Sequence, residues 1–337
     1  MAAGCPPATA GESRLSPPHH SSTVPAPVPT LSIVCPMRDE AEALPALASR
    51  LIAVLDACVD SFEIVCVNDG SSDDTLSALQ AWRSRDPRVR VIDLTRSFGK
   101  EAALTCGIDH ARGQAVVPID ADLQDPPELI PEMLRLWRSG FEVVLAQRVD
   151  RSGDGLLKRS SAAWFYRLHN RLADEPLPAN VGDFRLLDRR VVDALKQLPE
   201  RRRFMKGLFA WVGFRQATIP YSREPRRHGR SKFSGWRLWN FALDGITAFS
   251  TAPLRIWTYL GLAVALAAFV YGLVIIALVL VAGRDTPGYA SLMTVVLFLG
   301  GVQLIGLGVL GEYLGRVHQE VKQRPVYLVR HPDDHAA

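Results

Sequence analysis

Hydrophobic and polar positions follow two alternating periods along the first half of the chain. Short apolar runs rich in β-branched residues predict five strands, at 31–36, 63–70, 89–94, 115–120 and 142–148. Between them apolar residues recur at helical spacing and predict four helices, over 40–57, from Asp73 or Asp74 through Trp82, over 100–111 and over 126–137. Strands that alternate with helices predict an α/β fold with a mostly parallel sheet, covered by helices on both faces.

The last third of the chain has a different pattern. Two uncharged runs, at about 256–282 and 289–311, are each long enough to span a bilayer and predict a two-helix transmembrane hairpin. Just before them, residues 235–254 are amphipathic and carry Trp236 and Trp239, which predicts an interfacial helix. Basic residues lie outside the hairpin on both sides, whereas its connecting loop has one arginine. This asymmetry predicts a multi-pass protein of the cytoplasmic membrane, with its α/β domain and both termini facing the cytoplasm.

These patterns divide the chain into five parts. Residues 1–30 are rich in Pro, Ser, Ala and Thr and lack the apolar region of a signal peptide, which predicts a disordered tail. The α/β domain then covers 31–234, the interfacial helix 235–254, the two transmembrane helices 255–317 and a cytoplasmic tail 318–337. Glycines recur along the second apolar run, which favours close helix packing within one chain or in a homo-oligomer.

Composition narrows the class of protein. The chain has 337 residues and a net charge of +4, and this mild basicity fits an anionic membrane surface better than nucleic acid. Its cysteines are five in number and form no CxxC motif. We therefore expect reduced, buried thiols in a cytoplasmic compartment.

Carboxylates cluster where two of the predicted strands end. In DADLQDPPE, Asp120 and Asp122 are two residues apart and lie on the same side of an extended segment. Oxygen ligands alone suit Mg²⁺ or Mn²⁺, which take substrate phosphates as further ligands; the alternative is a solvated acidic loop. Asp125 either contributes to the metal environment or caps the next helix. Asp69 ends another strand and either accepts from a nucleoside or forms a turn with the following glycine.

An ordered set of motifs resembles one enzyme family. The motifs are CPMRDE, VNDGSSDDT, RSFGKEAAL, DADLQDPPE, VGDFRLLDR, RRFMKGLFAWVGF, HGRSKFS and GEYLGRVHQEVKQRP. Over about 31–330 the chain resembles the polyisoprenyl-phosphate glycosyltransferases, inverting enzymes of the GT-A fold that include dolichyl-phosphate mannose synthase and the bactoprenol glucosyltransferases. The first motif departs from many members, which have Tyr-Asn where this chain has Arg38-Asp39.

The resemblance implies a role for each matching residue. The nucleotide-sugar pocket would contain Pro36, Glu40, Asp69, Lys100, Asp120 and Ala121. Asp120, Asp122 and Gln124 would hold Mg²⁺ or Mn²⁺. The catalytic group would comprise Asp122, Asp183 beside the sugar and acceptor, and the phosphate-binding residues Arg148, Arg159, Arg230 and Lys232. A polyprenyl phosphate is already anionic near neutral pH. We therefore expect Asp183 to orient a partner rather than to remove a proton.

The resemblance also implies a reaction. We expect transfer of glucose from UDP-glucose to undecaprenyl phosphate on the cytoplasmic leaflet, with inversion, for modification of a cell-envelope glycan or lipid. GDP-mannose, a UDP-N-acetylhexosamine and a UDP-aminoarabinose derivative remain alternative donors. A processive polysaccharide synthase is disfavoured because the chain has no Arg-Trp dipeptide. The alternative outside the enzymes is a lipid-binding membrane scaffold without catalytic activity. Such a protein would not need carboxylates at the ends of several strands.

Overall fold

The computed structural model describes residues 28–149, 180–201, 203–222, 252–282 and 288–331. The predicted disordered tail and interfacial helix lie almost entirely outside these ranges. So do three of the residues expected to bind phosphate, Arg159, Arg230 and Lys232. The predictions for them stay untested.

A seven-stranded sheet forms the centre of the α/β domain, with strand order β3-β2-β1-β4-β6-β5-β7. Strand β6 is antiparallel to both of its neighbours, and the other pairs are parallel. The five predicted strands are confirmed, whereas β6 and β7 were not predicted. The strands are β1 Leu31–Met37, β2 Phe62–Asn68, β3 Val89–Asp93, β4 Ala115–Pro118, β5 Val143–Arg148, β6 Val181–Asp188 and β7 Gln216–Tyr221.

The four helices predicted for the α/β domain are present with shifted ends, whereas the helices Arg189–Gln197 and Met205–Trp211 were not predicted. The described helices are α1 Leu44–Cys58, α2 Thr75–Arg85, α3 Lys100–His110, α4 Ile130–Arg138, α5 Arg189–Gln197 and α6 Met205–Trp211, with α7 Ala252–Ala282 and α8 Tyr289–Val321 after them. Helix α1 begins later than predicted, because the residues before Leu44 form a turn. A short 3₁₀ turn, Pro127–Leu129, precedes α4. At the start of α2, Asp73 provides the predicted capping carboxylate by accepting from the backbone N–H of Thr75 at 3.0 Å.

Two hydrophobic clusters hold the helices on opposite faces of the sheet. One contains Leu47, Leu79 and Met133 from α1, α2 and α4. The other contains Leu104 from α3 and Phe209 from α6, together with apolar residues of α5. Both faces of the sheet are therefore covered, as predicted. Ligands of α/β sheets bind beyond the carboxyl ends of the parallel strands.

Two long helices, α7 and α8, follow the α/β domain at the positions of the predicted hairpin. Among the described residues, Phe298–Val321 is long and apolar enough to cross a membrane, and none of that stretch is buried. Tyr259–Ile275 in α7 is apolar but shorter. A β-carbon on Gly306 would meet the ring of Trp257 at 3.8 Å, so this glycine lies where the two helices pack. The prediction of two membrane spans stays a prediction.

Candidate active site

The turn after β1 is fixed by the loop after β2. Asp39 has a φ of 54°, in the left-handed region. Its carboxylate accepts from the N–H of Ser72 at 2.8 Å, and the backbone N–H of Glu40 donates to Thr75 Oγ1 at 2.9 Å. The unusual Arg38-Asp39 pair thus has a local structural role. Pro36 lies near the end of β1 at the same edge of the sheet.

Asp69 is buried and holds the loop that leads into α3. Its carboxylate accepts from Ser97 Oγ at 2.9 Å, from the N–H of Phe98 at 2.6 Å and from the N–H of Gly99 at 3.1 Å. Gly70 lies so close to this loop that a β-carbon would be 2.5 Å from the nitrogen of Ser97. Asp69 therefore positions α3 through its own protein contacts, and its expected contact with a nucleoside remains a prediction.

Lys100, the first residue of α3, joins two carboxylates from distant strands. Its Nζ lies 2.7 Å from Asp120 Oδ1 and 2.8 Å from Asp183 Oδ2. The side chain is 46% exposed overall, although its ammonium lies between the two carboxylates. Burial lowers the pKa of Lys100, but the charges of Asp183 and Asp120 and their hydrogen bonds outweigh it, so the pKa is raised above its ordinary value. Lys100 is thus a positive charge at the centre of the acidic cluster.

Asp183 is held as an anion. Burial raises its pKa, but the charge of Lys100, followed by that of Lys206, holds the pKa well below the usual carboxyl range. Among the described residues its second oxygen, Oδ1, is buried and accepts no hydrogen bond. An anionic oxygen without a donor is costly to bury, so Oδ1 is a candidate contact for a ligand hydroxyl or cation.

Glu101 and Lys206 also belong to the site, and they were missing from the sequence prediction. Burial, followed by the charge of Asp183, raises the pKa of Glu101 to about 7. Its Oε2 accepts from the N–H of Met205 at 3.0 Å, which ties α3 to the start of α6. Both residues stand in motifs already noted, RSFGKEAAL and RRFMKGLFAWVGF, but nothing in the sequence shows that these motifs meet.

The turn after β4 carries the predicted metal ligands. Ala121 and Leu123 are buried, whereas Asp120, Asp122 and Gln124 keep part of their surface exposed. Ala121 and Asp122 lie in a turn rather than in the predicted extended segment. Leu123 has a φ of 55°, a conformation that costs a residue with a β-carbon about 1–3 kcal/mol and that often marks a functional turn. The N–H of Gln124 donates to Asp122 Oδ1 at 3.2 Å, which orients that carboxylate.

Asp125 points away from this set. It is buried, and its Oδ1 accepts from the hydroxyl of Tyr221 in β7 at 2.6 Å. Pro126 is the residue that precedes the following 3₁₀ turn, and that turn has no side-chain cap. Asp125 thus links the turn to the edge of the sheet, a third role beside the two that the sequence left open.

The oxygen atoms of this turn are suitable ligands for a hard divalent cation whose remaining ligands come from a substrate. Within the described residues, no group of three or more His, Cys, Asp or Glu side chains is arranged to hold a metal. Magnesium and manganese need no such cage, because they are commonly bound by one or two carboxylates together with substrate phosphates and water. Asp120 and Asp122, two partly exposed oxygen donors at one turn, fit that requirement.

Arg148 lies at the end of β5, beside β6, which carries Asp183. Its N–H donates to the carbonyl of Asn180 at 3.0 Å. The strand pairing therefore brings one predicted phosphate-binding residue to the edge of the sheet that holds the acidic cluster. Its contact with phosphate remains a prediction.

The mostly parallel sheet, with its acidic cluster at the strand ends, has the architecture of a GT-A glycosyltransferase, as the motifs predicted. The chain belongs to the glycosyltransferases described as Glycosyl transferase family 2, whose domain matches residues 32–196. A second domain, described as the GtrB C-terminal hairpin, matches residues 252–317. The predicted family and enzyme class are confirmed.

Similar proteins match almost the whole chain. An uncharacterized glycosyltransferase, sll0501 of Synechocystis sp., is 54% identical over 299 residues, which cover 89% of this chain and 94% of that protein. The SfII prophage-derived bactoprenol glucosyl transferase of Shigella flexneri is 52% identical over 300 residues, which cover 89% and 97%. Among solved structures, the mannosyltransferase PcManGT from Pyrobaculum calidifontis, in complex with GDP-Man and Mn²⁺, is 19% identical, with coverage of 86% and 88% and a TM-score of 0.45.

Proposed function

We propose that this glycosyltransferase transfers glucose from UDP-glucose to a polyprenyl phosphate of the bactoprenol type, with inversion. The donor and acceptor are suggested by relatives named bactoprenol glucosyl transferase, which are about half identical to this chain along nearly its full length. The structural observation that carries the proposal is the contact of Lys100 with both Asp120 and Asp183. It brings the turn proposed to bind the donor diphosphate next to the residue proposed to face the sugar.

Asp120, Asp122 and Gln124 are the residues that would hold Mg²⁺ or Mn²⁺ with the donor diphosphate. The bound cation would neutralise charge on the leaving nucleoside diphosphate. Lys100 adds a second positive charge, already fixed by two carboxylates and so in place before the donor arrives. Pro36, Glu40, Asp69 and Ala121 would form the nucleoside side of the pocket.

The acceptor brings a negative phosphate towards a negative donor, so basic residues have to offset the repulsion. Arg148 at the end of β5 is the described candidate, with Arg159, Arg230 and Lys232 proposed beside it from the sequence. A phosphate monoester needs little deprotonation near neutral pH, since its second pKa is about 6. Asp183, with its depressed pKa, is a weak base and is proposed to orient the sugar or a phosphate-binding side chain.

The membrane supplies the acceptor in this proposal. Large apolar side chains on both long helices are exposed, among them Tyr259 at 69%, Leu280 at 80% and Leu304 at 71%. Apolar surfaces of this extent suit lipid rather than water. We propose that both helices span the inner membrane, with the α/β domain and both termini in the cytoplasm, and that 235–254 forms the interfacial helix. Glycines of α8 such as Gly300 and Gly308 have open space around them, which suits a homo-oligomer.

The Asp183→Asn variant is expected to keep its rate within about tenfold of wild type, because loss of a general base costs about 100-fold or more. Since the pKa of Asp183 is depressed, this group stays ionised throughout a neutral assay range and contributes no limb to the pH profile. The measurement is kcat/KM against pH for wild type and variant. Asp193→Asn, at an exposed carboxylate of α5, is the control. A collapse of the rate with a changed pH dependence would assign Asp183 as the base.

A transfer assay tests the proposed reaction. The full-length protein in native membranes is given labelled UDP-glucose, GDP-mannose or UDP-N-acetylglucosamine, each with undecaprenyl phosphate, in Mg²⁺, Mn²⁺ or EDTA. We expect a lipid-extractable labelled product from UDP-glucose alone, and none in EDTA. A product from another donor would replace glucose in the proposal. The absence of product from all three donors would contradict it.

A further inference from the structure

The chain returns from α8 to the edge of the α/β domain. We call residues 325–331 the return segment. The N–H of Thr95 donates to the carbonyl of Leu328 at 2.9 Å, and the N–H of Arg330 donates to the carbonyl of Asp93 at 2.8 Å. Leu94 and Val329 form an antiparallel bridge between these bonds. The return segment thus pairs with the chain at the end of β3 and just after it, where backbone groups of this edge strand would otherwise be unpaired.

Arg330 adds side-chain contacts at the point where the chain leaves β3. Its Nε lies 2.8 Å from Asp93 Oδ2, and its Nη2 donates to the carbonyl of Thr95 at 3.3 Å. The other oxygen of Asp93 accepts from Asn68 Nδ2 at 2.7 Å. Asn68 directly precedes Asp69, whose carboxylate holds the far end of the same loop. Both ends of the loop that leads into α3 are therefore fixed, one by Asp69 and the other by the return segment.

The return segment also contacts the far end of α3. The hydroxyl of Tyr327 donates to Asp109 Oδ2 at 2.9 Å, and its ring lies 6.1 Å from that of His110, between centroids. Tyr327 and Val329 pack against the hydrophobic cluster that contains α3. The segment that follows directly from α8 therefore holds the far end of α3 and the start of the loop that leads into it.

A second contact links α8 itself to the site. Both carboxylate oxygens of Glu320 accept from the N–H of Arg201, at 3.0 and 3.1 Å. Arg201 lies shortly before α6, and the N–H of Met205 at the start of α6 donates to Glu101 in the first turn of α3. The end of α8 thus reaches the Lys100 end of α3 through a second set of contacts.

We propose that the return segment positions α3, and with it Lys100, between Asp120 and Asp183, and that Arg330 is a positioning residue for the donor site. Lys100 occupies the first position of α3, so a shift of this helix along or about its axis moves the ammonium relative to both carboxylates. Because the return segment continues from α8, the proposal links the placement of the long helices to the geometry of the site. It rests on the proposed function for the role of Lys100 in donor binding.

The first test is amide hydrogen exchange of the full-length protein in lipid nanodiscs, without substrate. Arg330→Ala is expected to speed amide exchange of residues 94–104 by about tenfold, which corresponds to a local opening whose free energy is lower by about 1.4 kcal/mol. The exchange rates of β6 are expected to stay unchanged. The control, Arg324→Ala, removes an exposed arginine at the end of α8 and is expected to change neither region. Equal exchange in Arg330→Ala and wild type would overturn the proposal, as would faster exchange throughout the domain.

The second test measures the donor. Arg330→Ala is expected to weaken UDP-glucose binding about tenfold, and Arg330→Lys to recover part of the loss. In a Lys100→Met background the same change is expected to cost less than twofold, because the residue through which Arg330 acts is gone. Equal losses in both backgrounds would overturn the proposal. If Arg330→Ala does not fold, Tyr327→Phe, which removes the contacts of the hydroxyl with Asp109 and Cys106 in α3, replaces it in both tests. Because the exchange test needs no substrate, a wild type without transfer activity would contradict the proposed function alone.

Discussion

The Lys100→Met variant is expected to lose roughly 100- to 1,000-fold in kcat, the range seen when one fixed electrostatic contact is removed from an active site. Methionine keeps the length and packing of the side chain but removes the charge between Asp120 and Asp183. Asp183 is then a buried anion without its main partner, so its pKa rises, and the two carboxylates repel each other and an incoming diphosphate. The measurement is the transfer rate at saturating donor and acceptor.

The same substitution is also expected to lower the free energy of unfolding, by about 1–2 kcal/mol. The loss is smaller than for a fully buried pair, because Lys100 is 46% exposed. Lys322→Met, at an exposed lysine just after α8, is the control and should keep its activity. The double variant Lys100→Met/Asp183→Asn should regain stability but not activity, which separates the two effects. Activity of Lys100→Met within threefold of wild type would remove Lys100 from the proposed site.

The Asp122→Asn variant is expected to lose roughly 100- to 1,000-fold in kcat in Mg²⁺ or Mn²⁺, and to need more metal for half of its remaining activity. An asparagine oxygen can still accept from the N–H of Gln124, so the shape of the turn is kept. What it removes is the negative charge, which strengthens the binding of a hard divalent cation to a carboxylate. The measurement is the transfer rate as a function of metal concentration, after removal of bound metal with EDTA.

A matched control lies in the same segment. Glu128 forms an ion pair with Arg50 at 2.6 Å, so Glu128→Gln removes a carboxylate near the turn without changing the proposed metal ligands. Its activity should stay within about twofold of wild type, since exposed ion pairs contribute little. If Asp122→Asn and Glu128→Gln behaved alike, with unchanged sensitivity to EDTA, the assignment of Asp122 as a metal ligand would be wrong.

The local parts of this fold could be predicted from the sequence, because their signals are local. A short apolar run with β-branched residues, such as LSIVCP, is typical of a buried strand. The five strands predicted in this way are present. The position of the acidic turn could be predicted in the same way, because it directly follows the apolar strand β4, although its backbone is a turn rather than the predicted extended segment. Strands β6 and β7 were missed because polar residues interrupt their apolar pattern, so that no regular period can be read from the sequence. They are recognised as strands only by their pairing with β5.

The ordered motifs in the sequence determined the family, the α/β class of the catalytic domain and the turn that carries the acidic residues. The tertiary structure decided which of these residues meet. Only the antiparallel insertion of β6 between β4 and β5 brings Asp183 to Lys100, and only the return of the chain after α8 places Arg330 beside Asp93. The physical reason is that residue spacing along the chain fixes the periodicity of an element. Contacts between distant residues depend on how strands pair and how the two faces of the sheet are filled, which no local pattern records.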